Sequence, residues 1–141
     1  MKILFAVDGS PYSLKAAEYL ATHFNWLREP VELHLLHVDL PIPIGRARAA
    51  MGKESVERYY AEEAEAALAP AENILRKHEV NFTRSYVAGD IADAIQSYVN
   101  QNAMDMIVMG SHGHGALRGL VMGSIATKVI ATTTVPVLII R

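Results

Sequence analysis

The sequence predicts an α/β domain with a doubly wound, five-stranded parallel sheet and helices on both faces. Three observations carry this. Five short apolar runs alternate with four stretches of helical spacing. Turn residues such as Asp8-Gly9-Ser10 and Gly89-Asp90 mark where one pattern gives way to the next. The chain has 141 residues, 51% hydrophobic and 20% charged, a length and balance suited to one domain with one core.

Residues 2–7 read as a buried strand, because Ile3-Leu4-Phe5-Ala6-Val7 is a short apolar run ended by Asp8 and Gly9. Ser10 is placed to cap the following helix and Pro11 to occupy its first turn, while Leu14, Ala17, Ala21 and Phe24 recur at helical spacing. Residues 31–38 form the second strand. The stretch 39–52 holds Pro41, Pro43, Gly45 and Gly52 beside Arg46 and Arg48, and it reads as a long connection, a candidate lid. From residue 53 to about 78 the chain is rich in Ala, Glu and Leu and is predicted helical, with Pro70 expected to kink or divide it. Residues 80–88 are the most amphipathic strand and therefore a candidate sheet edge. Asp90 is placed to cap a helix whose apolar face is Ile91, Ala94, Ile95, Tyr98 and Val99. Residues 106–109 make strand four, 110–122 a glycine-rich loop, 124 to about 132 a short helix, and 135–140 strand five. In such a sheet, ligands bind outside the carboxyl ends of the strands where the winding reverses, so the loops after strands one and four should share one crevice.

Composition excludes several function classes. Thirteen Lys and Arg against fifteen Asp and Glu leave a net charge of −2, so no global attraction draws the chain to nucleic acid or an anionic membrane. With no cysteine there is no disulfide, thiolate metal site or cysteine nucleophile, and a reducing cytoplasmic setting is expected. No apolar run approaches a membrane-spanning length.

The richest stretch is Gly110-Ser111-His112-Gly113-His114-Gly115, followed by Gly119 and by Gly123-Ser124 at a predicted helix start. Glycine lets backbone approach a ligand closely, and the unpaired N–H groups of a helix start attract anions. Phosphate is the natural occupant, held by the amides of Gly123, Ser124 and Ile125, the hydroxyls of Ser124 and Thr127, and the nearby cation Arg118. On composition alone, the glycines could equally turn a loop and Ser124 cap a helix. The spacing matches neither a Walker-type phosphate loop nor a dinucleotide fingerprint.

At this point the chain resembles a family. Gly110-x2-Gly113-x9-Gly123-Ser124 is similar to the Gly-x2-Gly-x9-Gly-[Ser/Thr] motif of ATP-binding universal stress proteins, and the segments Ile3-Leu4-Phe5-Ala6-Val7-Asp8-Gly9-Ser10 and Val135-Pro136-Val137-Leu138-Ile139-Ile140 also resemble them. The likeness spans the whole chain, 1–141, as one such domain. It implies a Rossmann-like, adenine nucleotide alpha hydrolase-like fold. It also implies that Asp8 lies near the ribose and phosphates and works through a divalent ion, and that the Val38 backbone meets the adenine edge. Met109 would line the base side, Gly110 and Gly113 would let backbone reach the ribose and phosphates, and Gly123, Ser124 and Ile125 would receive the phosphates. Magnesium would need only Asp8 and phosphate oxygens, since it keeps several waters. Aspartate after a strand also commonly bonds the backbone of the next turn.

His112 or His114 could contact phosphate. A metal site built on His112 and His114, or on His34 and His37, lacks an evident third ligand. The glutamates at 54, 57, 62, 63 and 65 read as a solvated helix face, and Tyr59 and Tyr60 as packing. Strand five is apolar on both faces, which invites a homodimer through that edge, as the resemblance also implies. The expected function is a cytoplasmic, nucleotide-dependent stress-response switch or sensor that binds ATP, with hydrolysis slow or absent and no catalytic residue identified. Two alternatives stand beside it: a dimeric interaction protein that binds no nucleotide, and a slow adenine-nucleotide hydrolase.

Overall fold

The computed structural model describes residues 1–23, 30–42, 46–115 and 121–141, with residues 46–51 described by backbone alone. Phe24, Pro43, Gly45, Arg118 and Gly119 lie outside the described residues. The elements are β1 (Lys2–Ala6), α1 (Pro11–His23), β2 (Glu32–Asp39), α2 (Arg46–Lys77), β3 (Phe82–Ala88), α3 (Ile91–Asn102), β4 (Met106–Gly110), α4 (Ser124–Thr132) and β5 (Val137–Ile140). The five strands form one sheet in the order β3-β2-β1-β4-β5, every pairing parallel. The chain runs outward from β1 through β2 to β3, then crosses back to β4 on the other side of β1. The winding therefore reverses between β1 and β4, which is the doubly wound arrangement the sequence predicts.

Strand periodicity divides the core between the two faces. Ile3, Phe5, Leu33, Leu35 and Val108 join Ala16, Ala17, Leu68, Ala71 and Leu75 of α1 and α2. On the opposite face Leu4, Leu36, Ile107 and Met109 join Ala92, Ile95 and Val99 of α3 and Ala126 and Val129 of α4. β1 lies at the centre of the sheet and is covered on both faces, which is why it reads as an unbroken apolar run. The edges differ. On β5 every residue is half-buried. On β3, Arg84 is held by Glu65 at 2.8 Å and by the buried Glu72 at 3.1 Å.

Two expectations for α2 require correction. The predicted lid at 39–52 is helical from Arg46 onward, because Arg46-Ala47-Arg48-Ala49-Ala50-Met51 are good helix formers that the prolines and glycines around them obscured. The break expected at Pro70 lies instead at Gly52, whose φ of 73° and ψ of 158° are the only non-helical backbone angles inside the element. Pro70 is exposed, its fixed φ suits a helix, and the buried Leu68, Ala71 and Leu75 hold the turns on both sides of it against the sheet.

Helix starts follow the predicted caps. Ser10 Oγ accepts from Ser13 N at 3.3 Å at the start of α1. Asp90 Oδ1 accepts from Asp93 N at 3.1 Å at the start of α3 and also receives Lys128 Nζ of α4 at 2.8 Å, tying together the two helices that flank the second core cluster. The lysine bond, then the amide bonds, hold the Asp90 carboxyl below its ordinary value. A depressed native pKa gives stability that is full above the unfolded carboxyl value of about 3.9 and fades as pH falls through the lower native value. Asp90→Ala should therefore lower the urea unfolding midpoint at pH 7, and the gap from the parent should narrow between pH 4 and pH 2.

Candidate functional site

The C-terminal ends of β1, β2 and β4 open into a crevice of about 900 Å³. Parallel strands deliver their following loops to the same edge, so residues far apart in sequence converge here. Of the residues singled out from sequence, Asp8, Gly9, Val38, Met109, Gly110, His112, Gly113, Gly123, Ser124 and Ile125 line it. Arg118 lies outside the described residues. Ser10 is fully buried and absent from the lining; its hydroxyl donates to the His112 carbonyl at 3.3 Å, fastening the start of α1 to the loop after β4. Thr127 is likewise absent, and its hydroxyl is spent on the Gly123 carbonyl at 3.0 Å within α4.

The two loops expected to meet are bonded to each other. Asp8 Oδ1 accepts from Ser10 N at 2.9 Å, forming the turn after β1. His114 Nε2 donates to the Asp8 carbonyl at 2.7 Å from across the crevice. Gly123 N donates to the Ser111 carbonyl at 2.8 Å, which seats the start of α4 against the end of β4. The Gly123 cap supplies no side-chain acceptor to the first-turn amides of α4, and Ser124, Ile125 and Ala126 line the crevice at the positive end of the helix.

Packing explains two of the motif glycines more directly than ligand approach does. A Cβ on Gly110 would lie 2.8 Å from the carbonyl carbon and Cβ of Tyr12 and 2.9 Å from Ser13 N, so glycine here lets α1 sit on β4. A Cβ on Gly113 would lie 2.7 Å from Asp8 Oδ2, so glycine here leaves room for the carboxylate.

Three carboxylates, Asp8, Asp39 and Glu63, are among the lining residues, and no lysine or arginine is among the described ones. Negative charge thus gathers at the ends of β1 and β2 and on α2, while the positive end of α4 faces it. Val38, Met109, Ile91 and Ile95 give the second core face an apolar wall between them. Sequence reasoning missed Asp39, His37, the α2 residues Glu63, Ala66 and Ala67, and the α3 residues Ile91 and Ile95 as lining groups. Asp39 was findable, because it follows Val38 at the carboxyl end of a strand; the helical residues were not, since which turn of a helix overhangs a sheet edge is set by packing.

The histidines serve separate purposes. His34 Nδ1 meets Tyr98 OH at 3.0 Å and its Nε2 meets Glu32 at 2.7 Å, whereas His37 bonds the Val7 carbonyl at 2.8 Å. Three residues apart on a strand, they point to opposite faces. Among the described residues no three histidine or acidic side chains gather closely enough to hold a metal ion without help from a ligand.

Known proteins share this architecture. Residues 1–141 match the family described as the Universal stress protein family. The chain is 34% identical over 140 residues to universal stress protein Slr1230 of Synechocystis, covering 99% of this chain but only 42% of that protein. It is 30% identical over 148 residues to universal stress protein YxiE of Bacillus subtilis, covering 99% of this chain and 98% of that one. Among solved structures, the universal stress protein of Archaeoglobus fulgidus in complex with dAMP superposes with a TM-score of 0.69 at 23% identity, covering 100% of this chain and 98% of that chain.

The contacts at Gly110 can be tested by adding one methyl group. Because the atoms it would meet belong to the backbone at the start of α1 and to Tyr12 Cβ, Gly110→Ala should cost about 1–3 kcal/mol, as overpacking typically does. Urea unfolding should show a lower midpoint with an unchanged slope.

Proposed function

As the chain belongs to the universal stress protein family, we propose that it is an ATP-binding member that acts as a nucleotide-dependent stress-response switch or sensor, with hydrolysis slow or absent. The carrying observation is the uncapped start of α4, whose Ser124, Ile125 and Ala126 border a crevice with an apolar wall. A nucleotide has matching parts. Its base suits the slot between Val38, Met109, Ile91 and Ile95, with the Val38 backbone at its edge, and its phosphates suit the helix amides. The Archaeoglobus fulgidus relative, which carries dAMP, supports an adenine nucleotide as the ligand class.

Magnesium fits as a partner of the phosphates. Asp8 Oδ2 lies against Gly113 at the crevice wall, a hard carboxylate oxygen next to the loop expected to approach the phosphates. When bound, the ion would neutralise phosphate charge beside Asp8. Rapid phosphoryl transfer needs several positioned cations, and the lack of lysine or arginine among the described lining residues supports binding over turnover.

The exposed side of β5 is apolar, and we propose that two copies pair through it. Sedimentation at micromolar concentration should show a dimer, and a monomer alone would count against it. No described helix is long and apolar enough to cross a membrane, and a cysteine-free chain suits the cytoplasm, where we place it.

Ser124→Asp tests phosphate binding without removing a glycine. A carboxylate in the first turn favours the helix itself but opposes a second anion there. Titration calorimetry should show ATP affinity falling about tenfold or more, while adenosine binds within about twofold of the parent. Unchanged ATP affinity would show that the phosphates bind elsewhere.

A further inference from the structure

The turn that leads into α4 owes little to burial at its first residue. Val121 is 74% exposed, and Gly123 has no side chain to pack, although Met122 between them rests against the second core cluster. Among the described residues, hydrogen bonds tie this turn to the end of the sheet. Gly123 N donates to the Ser111 carbonyl at 2.8 Å, and Ser111 N donates to the Ile140 carbonyl of β5 at 2.8 Å. A second tie comes from Arg141, whose Nη2 donates to the Val121 carbonyl.

Strand periodicity brings Arg141 there. Ile139 packs with the second core cluster and Ile140 with the first, so the next side chain returns to the face that α4 covers. Because β5 runs parallel to β4, Arg141 leaves the sheet at the same edge as the crevice. A guanidinium carries several donors on a long stem, and the carbonyl it meets is an acceptor only. One exposed side chain thus bridges the end of β5 and the turn before α4. Lys128, the cation on α4 itself, is occupied by Asp90 and Asp93.

We propose that Arg141 is a positioning residue of the phosphate subsite: by holding the Val121 carbonyl it fixes the turn that sets the first amides of α4 at the crevice. The inference rests on the nucleotide reading above and deepens it. Amides fixed before the ligand arrives bind an anion more tightly than amides that must be ordered on binding. Arg141 is not among the residues lining the crevice, so it acts on the phosphates through this turn and not by contact. A nucleoside, which carries base and ribose but no phosphate, makes no use of the turn. That difference separates positioning from a general effect on the fold.

Arg141→Met keeps most of the stem and removes every donor. ATP and adenosine are titrated by calorimetry into the parent and the variant, and amide hydrogen exchange at Ser124, Ile125 and Ala126 is followed by NMR without nucleotide. In the variant, ATP should weaken about fivefold or more while adenosine binds within about twofold of the parent, and these amides should exchange about fivefold faster or more. Unchanged ATP affinity would overturn the proposal. Equal weakening of ATP and adenosine would also overturn it, by assigning Arg141 to the fold alone. Weaker ATP binding with unchanged amide exchange would make Arg141 a charge acting directly on the phosphates, and the positioning role would fall. If the parent itself bound no ATP, the nucleotide reading would fail and this inference with it.

Discussion

Main chain lying directly on main chain at the point where the sheet reverses is the constraint from which the crevice follows. At Gly110 the end of β4 touches the start of α1 closely enough that no side chain fits between them. At Gly123 the start of α4 bonds the Ser111 carbonyl. These contacts bring the loops after β1 and β4 within hydrogen-bond reach, as the His114 bond to the Asp8 carbonyl records. Remove them and the helix amides, the carboxylate of Asp8 and the apolar wall would no longer face one space.

The crevice built in this way is electrically divided. One side carries the amides of a helix start, and the other carries Asp8, Asp39 and Glu63. A ligand that is anionic at one end and donates hydrogen bonds at the other suits both sides, whereas a uniformly anionic ligand suits only one. Charge complementarity fixes orientation more than strength. A pocket with no lysine or arginine among its described lining residues can still be read as a phosphate site, because a helix start contributes positive potential of its own.

Much of the fold was legible in the residues because buried parallel strands and capped helices leave strong local marks. The run from Ile3 to Val7, the cap at Asp90 and the apolar stripe of α3 each signal their element without reference to the rest of the chain. Half of the crevice was legible as well, since glycine at 110, 113 and 123 has few purposes. The reasons for those glycines were less so: what Gly110 and Gly113 would meet depends on α1 and Asp8, near the other end of the chain. Likewise, prolines and glycines around residues 39–52 suggested an irregular connection and obscured the alanine-rich local preference that makes the chain helical from Arg46. Pro70 shows the same limit from the other side, because an exposed proline flanked by buried turns does not end a helix.

The sheet's two borders are chemically unlike. β5 presents Val137-Leu138-Ile139-Ile140, whereas β3 presents Arg84 locked into pairs with Glu65 and Glu72. A guanidinium fixed on a border strand discourages another strand from adding there. Growth by stacking requires two adhesive margins per molecule, so the pairing through β5 proposed above would close at two copies and not extend into an open-ended fibre.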